Sequence, residues 1–329
     1  MKLGLYSDSL GFLPFEEMLD WLVENGFEAV EIGTGNFSTA PHCDLVRLVT
    51  DDAYLNFFRD AISTRGLVLS ALNCNGNPLD PHPDRRALAQ EVFRNTVLAA
   101  ERLGINTIVT MSGCPGDPTG GTYPNWVTCS WQQEYVELLE KQWQLEIEPF
   151  WSEAGRFAAN HGIKIGIEMH PGQAAYNTRT IKRLREIAGP NLGANLDPSH
   201  LFYQGMDPFV VIRALGKGFV FHVHAKDTRL DPQEMALNGG LDPRPTGTPG
   251  VRAWDYRTVG FGHDALWWRE FISVLRLVGY DGILSVEHED RLMSGAEGIR
   301  MSAMFLRPLL LRTLPERIGR HADEEVSIG

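Results

Sequence analysis

Four short segments in the second half of this 329-residue chain run from an apolar stretch straight into acids and histidines: Ile165 to Pro171 (IGIEMHP), Asn195 to His200 (NLDPSH), Phe221 to Asp227 (FHVHAKD) and Leu284 to Asp290 (LSVEHED). If each apolar stretch is a strand, every second side chain points to the same face. Glu168 then follows Gly166, Asp197 follows Asn195, His224 follows His222 and Glu287 follows Ser285. Each segment aims one hard donor at a shared point. Two glutamates, one aspartate and one imidazole make an oxygen-rich set with room for water, which suits one divalent ion. Mn²⁺ is the expected ion, with Mg²⁺ or Co²⁺ as alternatives. A closed thiolate zinc site is not indicated, because Cys43, Cys74, Cys114 and Cys129 are widely spaced without a C-x-x-C; they read as free thiols that pack.

Other polar residues fall near the same point. His170 shares parity with Glu168 and lies beyond it, so it is a candidate to touch substrate or to act as an acid or base. His200, Lys226 and Asp227 sit just past ligand-bearing strands and are expected at the pocket rim. His222 lies one pleat deeper than His224 and reads as a supporting or packing residue. Glu31 has the inward parity of Ala29 and is a candidate substrate contact. His263 precedes Asp264, an evident helix N-cap, and reads as structural; salt bridging on a rim explains His288, Glu289 and Asp290.

Something must hold four strand ends around one point. Strand-like runs alternate with helical-period runs along the whole chain. The strands read as 2–7, 29–32, 68–73, 107–111, 164–168, 192–197, 219–224 and 283–287, and helical stretches separate them near 15–25, 52–65, 85–103, 143–161, 180–188, 208–215 and 265–278, with a last one at 294–311. Eight strand-then-helix units without an intervening hairpin predict an α/β fold, a (β/α)₈ TIM barrel over 1–311, with a doubly wound sheet as the alternative. Long insertions at about 33–50, 113–135 and 228–262 follow the second, fourth and seventh strands, which places them on the catalytic face. They carry Trp126, Trp131, Trp254 and Tyr256, so they are expected to pack as lids over a pocket, with Trp254 against substrate; an oligomer or partner-subunit contact is the competing reading. Residues 312–329 form a polar tail, expected to fray.

Bulk properties exclude several classes. The net charge is −12 and no Lys/Arg-rich run occurs, so the field repels phosphate backbones and anionic membranes. No stretch approaches the roughly 18 apolar residues of a membrane span, and the opening residues lack the apolar core of a signal peptide. A cytoplasmic protein acting on a small molecule is expected.

With these residues in view the chain resembles the xylose-isomerase-like TIM barrels, a family that includes sugar phosphate isomerases/epimerases and inosose-processing enzymes. The resemblance rests on the opening K-L-G-L-Y-S, on G-F-E-A-V-E-I, on D-P-S-H, H-V-H-A-K-D and G-x-G-H-D, and on the closing G-Y-D-G-I-L-S-V-E-H-E. It implies metal ligation by Glu168, Asp197, His224 and Glu287, with both glutamates also serving as catalytic acid/bases. It further implies that His200 holds substrate oxygens, as does a basic residue after the seventh strand, matched by Arg229. The abasic-site nucleases of this fold need further histidines at the second and third strands, where this chain has Asn73; one metal is favoured over three.

A metal so held would bind the carbonyl and neighbouring hydroxyl of a keto-sugar and make the adjacent C–H acidic enough for a carboxylate to remove. Return of the proton by the other glutamate gives an isomerase or epimerase acting on a carbohydrate. Loss of a β leaving group instead gives a dehydratase or a lyase acting on a keto-sugar, inosose or 3-keto-glycoside. A non-catalytic sugar-binding subunit on a retained barrel is the third alternative.

Overall fold

A computed structural model of the protein describes residues 1–245 and 247–314. Among the described residues there are ten strands: β1 (Lys2–Tyr6), β2 (Ala29–Gly33), β3 (Val68–Asn73), β4 (Thr107–Met111), β5 (Lys164–Glu168), β6 (Leu192–Leu196), β7 (Val220–Ala225), β8 (Asp227–Leu230), β9 (Trp254–Arg257) and β10 (Ile283–Val286). Eight of them close a parallel barrel in the order β1-β10-β7-β6-β5-β4-β3-β2, with β10 as the eighth barrel strand. Parallel strands covered on both faces need apolar residues throughout: β4 (TIVTM) and β6 (LGANL) are buried at every position. Helices pack outside, as in Pro83–Leu103, which opens on proline and stops at Gly104, whose φ of 73° is left-handed and costs a glycine little.

The structure departs from the sequence reading in three places. The helix expected to begin at Trp143 begins at Gln133, turns through a π-helical segment at Trp143–Ile147 and continues as Glu148–Asn160. Pro149, which has no N–H to give to the preceding turn, lies just past that wide turn. The first insertion contains a short helix, Leu45–Thr50, capped by the Asp44 side chain. The third is not plain loop either: β8 and β9 pair antiparallel, Asp227 with Arg257 through Leu230 with Trp254, and helix Pro232–Asn238 lies between them.

No helix among the described residues is long and apolar enough to cross a membrane. Cys74 and Cys114 are buried, Cys43 and Cys129 half-buried, and all four are free. Of the polar tail expected over 312–329, residues 315–329 lie outside the described residues.

Candidate metal centre

Glu168 ends β5, Asp197 follows β6, His224 lies near the end of β7 and Glu287 follows β10. Parallel strands in a closed barrel all end on one face, so alternation alone brings these side chains to the axis there. One donor atom from each lies within 4.8 Å of the others. Nδ1 of His224 is 3.1 Å from Oε2 of Glu168 and 3.1 Å from Oε2 of Glu287. His224 Nδ1, Asp197 Oδ2 and Glu287 Oε2 are all buried, and their close neighbours are one another, Glu168, the His200 ring and the Lys226 ammonium. Three carboxylates and one imidazole converging on one spot fit a bound cation, and the oxygen-rich set fits a hard divalent one.

A polar layer beneath the donors fixes their orientation. Glu31 on β2 is fully buried and its carboxylate lies 3.0 and 3.1 Å from His224 Nε2. A carboxylate only accepts here, so Nε2 carries a proton and Nδ1 is the nitrogen turned to the site, the carboxylate–histidine arrangement that orients metal ligands. Ser285 and Asn73 donate to the same carboxylate at 2.7 and 2.8 Å. Burial alone would raise the pKa of Glu31, but the facing His224 and His222 and the hydrogen bonds from His224 and Ser285 hold it down to about 2. Glu31 was expected against substrate; it is walled off beneath His224. His222 takes the deeper position expected of it, with Nδ1 3.1 Å from Asn195 Oδ1, while the Asn195 amide donates to Glu168 at 3.0 Å. Glu31, His222 and His224 also form a donor cluster of their own, which the shared Nε2 proton accounts for. Glu31→Ala is expected to weaken divalent-ion affinity about 10- to 100-fold, read by competition with a chelating dye; unchanged affinity would refute its orienting role.

Glu168 is the most heavily supported donor, accepting from Asn75 at 3.2 Å and facing His200 Nε2 at 3.0 Å. Nε2 of His200 is also 3.2 Å from Asp197, and its Nδ1 lies near the Tyr203 and Tyr256 hydroxyls at 3.2 and 3.0 Å. Burial works against charge on His200, yet Asp197 beside it raises its pKa well above the ordinary histidine value. His170 packs on the His200 ring with centroids 4.1 Å apart and gives its Nδ1 proton to the Pro171 carbonyl at 2.5 Å. Burial, with the charge of His200, pushes His170 down to about 4, so it is neutral and Nε2 keeps a lone pair.

Lys226 was expected at the rim and is instead among the deepest side chains, 2% exposed. Its ammonium sits 2.9 Å from Glu287, 3.2 Å from Asp197 and 3.1 Å from Glu289, and 4.7 Å over the Tyr256 ring. It shares carboxylates with the donor set, so it stands beside any ion held there.

Two expected substrate contacts lie elsewhere. Arg229 is exposed on β8, away from the cavity lining. Asp227 points out of the site: one oxygen accepts from the backbone of Gly260, Gly262 and His263 at 3.0 to 3.1 Å and from the Trp268 indole at 3.3 Å, while the other meets His263 Nδ1 at 2.7 Å. A Cβ on Gly262 would strike this carboxylate and the Thr228 carbonyl, which explains the glycine before His263. The ring of His263 stacks on Phe202 and Asp264 caps the next helix, so both are structural as expected. Asp227→Ala would strand these buried donors at a cost of about 3–5 kcal/mol; urea denaturation showing a loss under about 1 kcal/mol would contradict the clamp.

Glu168 and Glu287 open onto a cavity of about 690 Å³ lined also by His170, His200 and Lys226. All three insertions reach its wall, through Phe37, Trp126 and Trp254. Trp254 is held between Tyr203, stacked at 3.9 Å, and the Arg252 guanidinium at 3.8 Å, and is itself part of the lining. Trp131, expected to pack over the pocket, is 81% exposed and outside the lining. Tyr6 and Asp8, which also line the cavity, escaped the sequence reading; the Tyr6 hydroxyl donates to Asp8 at 3.1 Å.

The model of the xylose isomerase-like TIM barrel family matches residues 19–309. The uncharacterized protein YfiH of Bacillus subtilis is 40% identical over 310 residues, covering 93% of this chain and 98% of its own. An inosose dehydratase of Histophilus somni is 32% identical over 165 residues, a match spanning 48% of this chain and 51% of the enzyme. Among solved structures, a D-tagatose 3-epimerase-like protein superposes with a TM-score of 0.63 at 19% identity, covering 94% of this chain and 98% of that one. IolI with a bound zinc atom gives a TM-score of 0.64 at 17% identity, with 94% and 98% covered. At these identities the two structures speak to the fold.

Proposed function

The chain belongs to the xylose isomerase-like TIM barrel family, and from that premise we propose that it is a divalent-metal-dependent isomerase or epimerase that removes the proton beside the carbonyl of a keto-sugar or sugar derivative. The observation that carries this reading is the convergence of one donor atom each from Glu168, Asp197, His224 and Glu287, all within 4.8 Å of one another. Zinc in IolI supports a divalent ion; the donor chemistry favours Mn²⁺. Bound by these four residues, the ion would act as a Lewis acid on the substrate carbonyl.

The protein's own groups supply the proton transfers. Glu168 and Glu287 end β5 and β10, with β6 and β7 between them around the barrel, and so approach a bound ring from two directions. One carboxylate takes the C–H proton and the other delivers a proton to the opposite face or to the neighbouring carbon. His200, held charged by Asp197 and anchored by two tyrosines, places positive charge beside the substrate oxygens.

Lys226 and the inosose dehydratase relatives favour a second reading, elimination. There a glutamate takes the same C–H proton, the electron pair forms the C=C bond, and the departing β-oxygen takes its proton from the ammonium beside Glu287. Incubating Mn²⁺-loaded protein with keto-sugars, inososes and 3-keto-glycosides in deuterated water separates the two. Deuterium gain without mass loss is the expected result; loss of water or an alcohol with an enone chromophore establishes elimination. Absence of both across the panel would sink the shared proton-abstraction step.

A further inference from the structure

The cavity is larger and differently lined than one sugar ring requires. Liquid water takes roughly 30 Å³ per molecule, so 690 Å³ has the space of about 23 waters, against about a dozen more densely packed heavy atoms in a hexose. Its inner end holds Glu168, His200 and Lys226, all deeply buried, and the half-buried Glu287. Its outer end carries apolar side chains beside Asp242: Phe37, 64% exposed, comes from the loop after β2, Trp126 from the loop after β4, and Leu241, 55% exposed, with Pro243 from the excursion between β8 and β9. Trp126 stands edge-on against Tyr176 with ring centroids 5.1 Å apart, and its indole N–H is buried without a partner. Exposed rings at the mouth of a cavity whose base is polar form a platform for a flat or weakly polar ring.

The charge of the lining narrows the ligand further. Five carboxylates, Asp8, Glu168, Asp242, Glu287 and Glu289, line the cavity, whereas among the described residues its wall carries one ammonium, Lys226, the ring of His200 already facing Glu168 and Asp197, and no guanidinium. Lys226 is already shared by three carboxylates. Phosphate recognition calls for clustered Arg or Lys, or a helix N-terminus, and an added dianion here would face carboxylates instead.

We propose that the outer half of the cavity is a subsite for a second ring, and that the substrate is an unphosphorylated glycoside whose aglycone, a sugar or an aromatic group, rests between Phe37, Trp126 and the Leu241–Pro243 segment. This rests on the keto-sugar reading for the inner half, but its test does not need turnover. Calorimetric titration of Mn²⁺-loaded protein uses methyl β-glucoside, phenyl β-glucoside, cellobiose and glucose 6-phosphate. The two-ring ligands are expected to bind roughly tenfold tighter than methyl glucoside, with glucose 6-phosphate weakest. Phe37→Ala and Trp126→Ala should each shrink the two-ring to one-ring ratio several-fold, and Phe37→Tyr should retain it. Equal affinity for methyl glucoside and both two-ring ligands overturns the subsite, as does undetectable binding of both two-ring ligands. Preference for glucose 6-phosphate overturns the neutral substrate. If the two-ring preference appears without deuterium exchange on any substrate, the subsite stands and the chemical reading falls.

Discussion

Glu287→Gln, saturated with Mn²⁺, is expected to lose substrate deuterium exchange by roughly 10²- to 10⁴-fold, the range for removal of a general base. The substitution keeps the side-chain volume and one oxygen donor. It removes the carboxylate that faces His224 at 3.1 Å and Lys226 at 2.9 Å. Metal content must be measured on the same sample, so that lost ligation is not mistaken for lost chemistry. Exchange at the parent rate in a metal-loaded variant would reduce Glu287 to a ligand and end the two-glutamate mechanism. His170, neutral and lining the cavity, would then be the next base to test.

His224→Ala is expected to cost more ion affinity than the roughly 10- to 100-fold assigned to loss of an outer partner, because it removes the nitrogen donor itself. It also takes from the buried Glu31 the imidazole that bonds both of its oxygens, leaving Ser285, Asn73 and the more distant His222 at 3.6 Å to hold its charge. Parent protein should hold one divalent ion per chain by elemental analysis, lose activity on exhaustive chelation and recover it with Mn²⁺. Full activity after chelation, or parent-like ion affinity in the His224 variant, would remove the centre from the mechanism.

The parts of this site that were legible in the sequence are those governed by local rules. A parallel barrel strand is buried on both faces, so β5 stands out as an apolar run and its observed bounds, Lys164–Glu168, are those read from the pattern. Parity then picks Glu168, Asp197, His224 and Glu287, because alternation is a property of one strand at a time. Glu31 was misplaced for the opposite reason. Its partner His224 lies across the barrel interior on a strand that is not its neighbour, and no one-dimensional pattern encodes that contact. Lys226 has the parity of His224, which could have placed it inside, but the reading ended the strand at residue 224 and turned the chain outward. Asp227 has the opposite parity and points away to gather the Gly260–His263 turn. Arg229 was carried over from the family pattern, and pairing of β8 with β9 lifts it to the surface instead.

That pairing has a consequence for how the protein can diverge. β8 and β9 bring Leu230 and Trp254 side by side, and Asp227 ties the following turn to the end of β7. The excursion between them therefore begins and ends at one fixed doorway, while the donors are held by a separate layer beneath the cavity floor. Closing a flexible loop costs only about 0.6 kcal/mol more for each doubling of its length. An excursion mounted this way behaves as an exchangeable cassette: recombination or design can lengthen, shorten or replace it, retuning which molecule is admitted, while the reaction below is inherited unchanged.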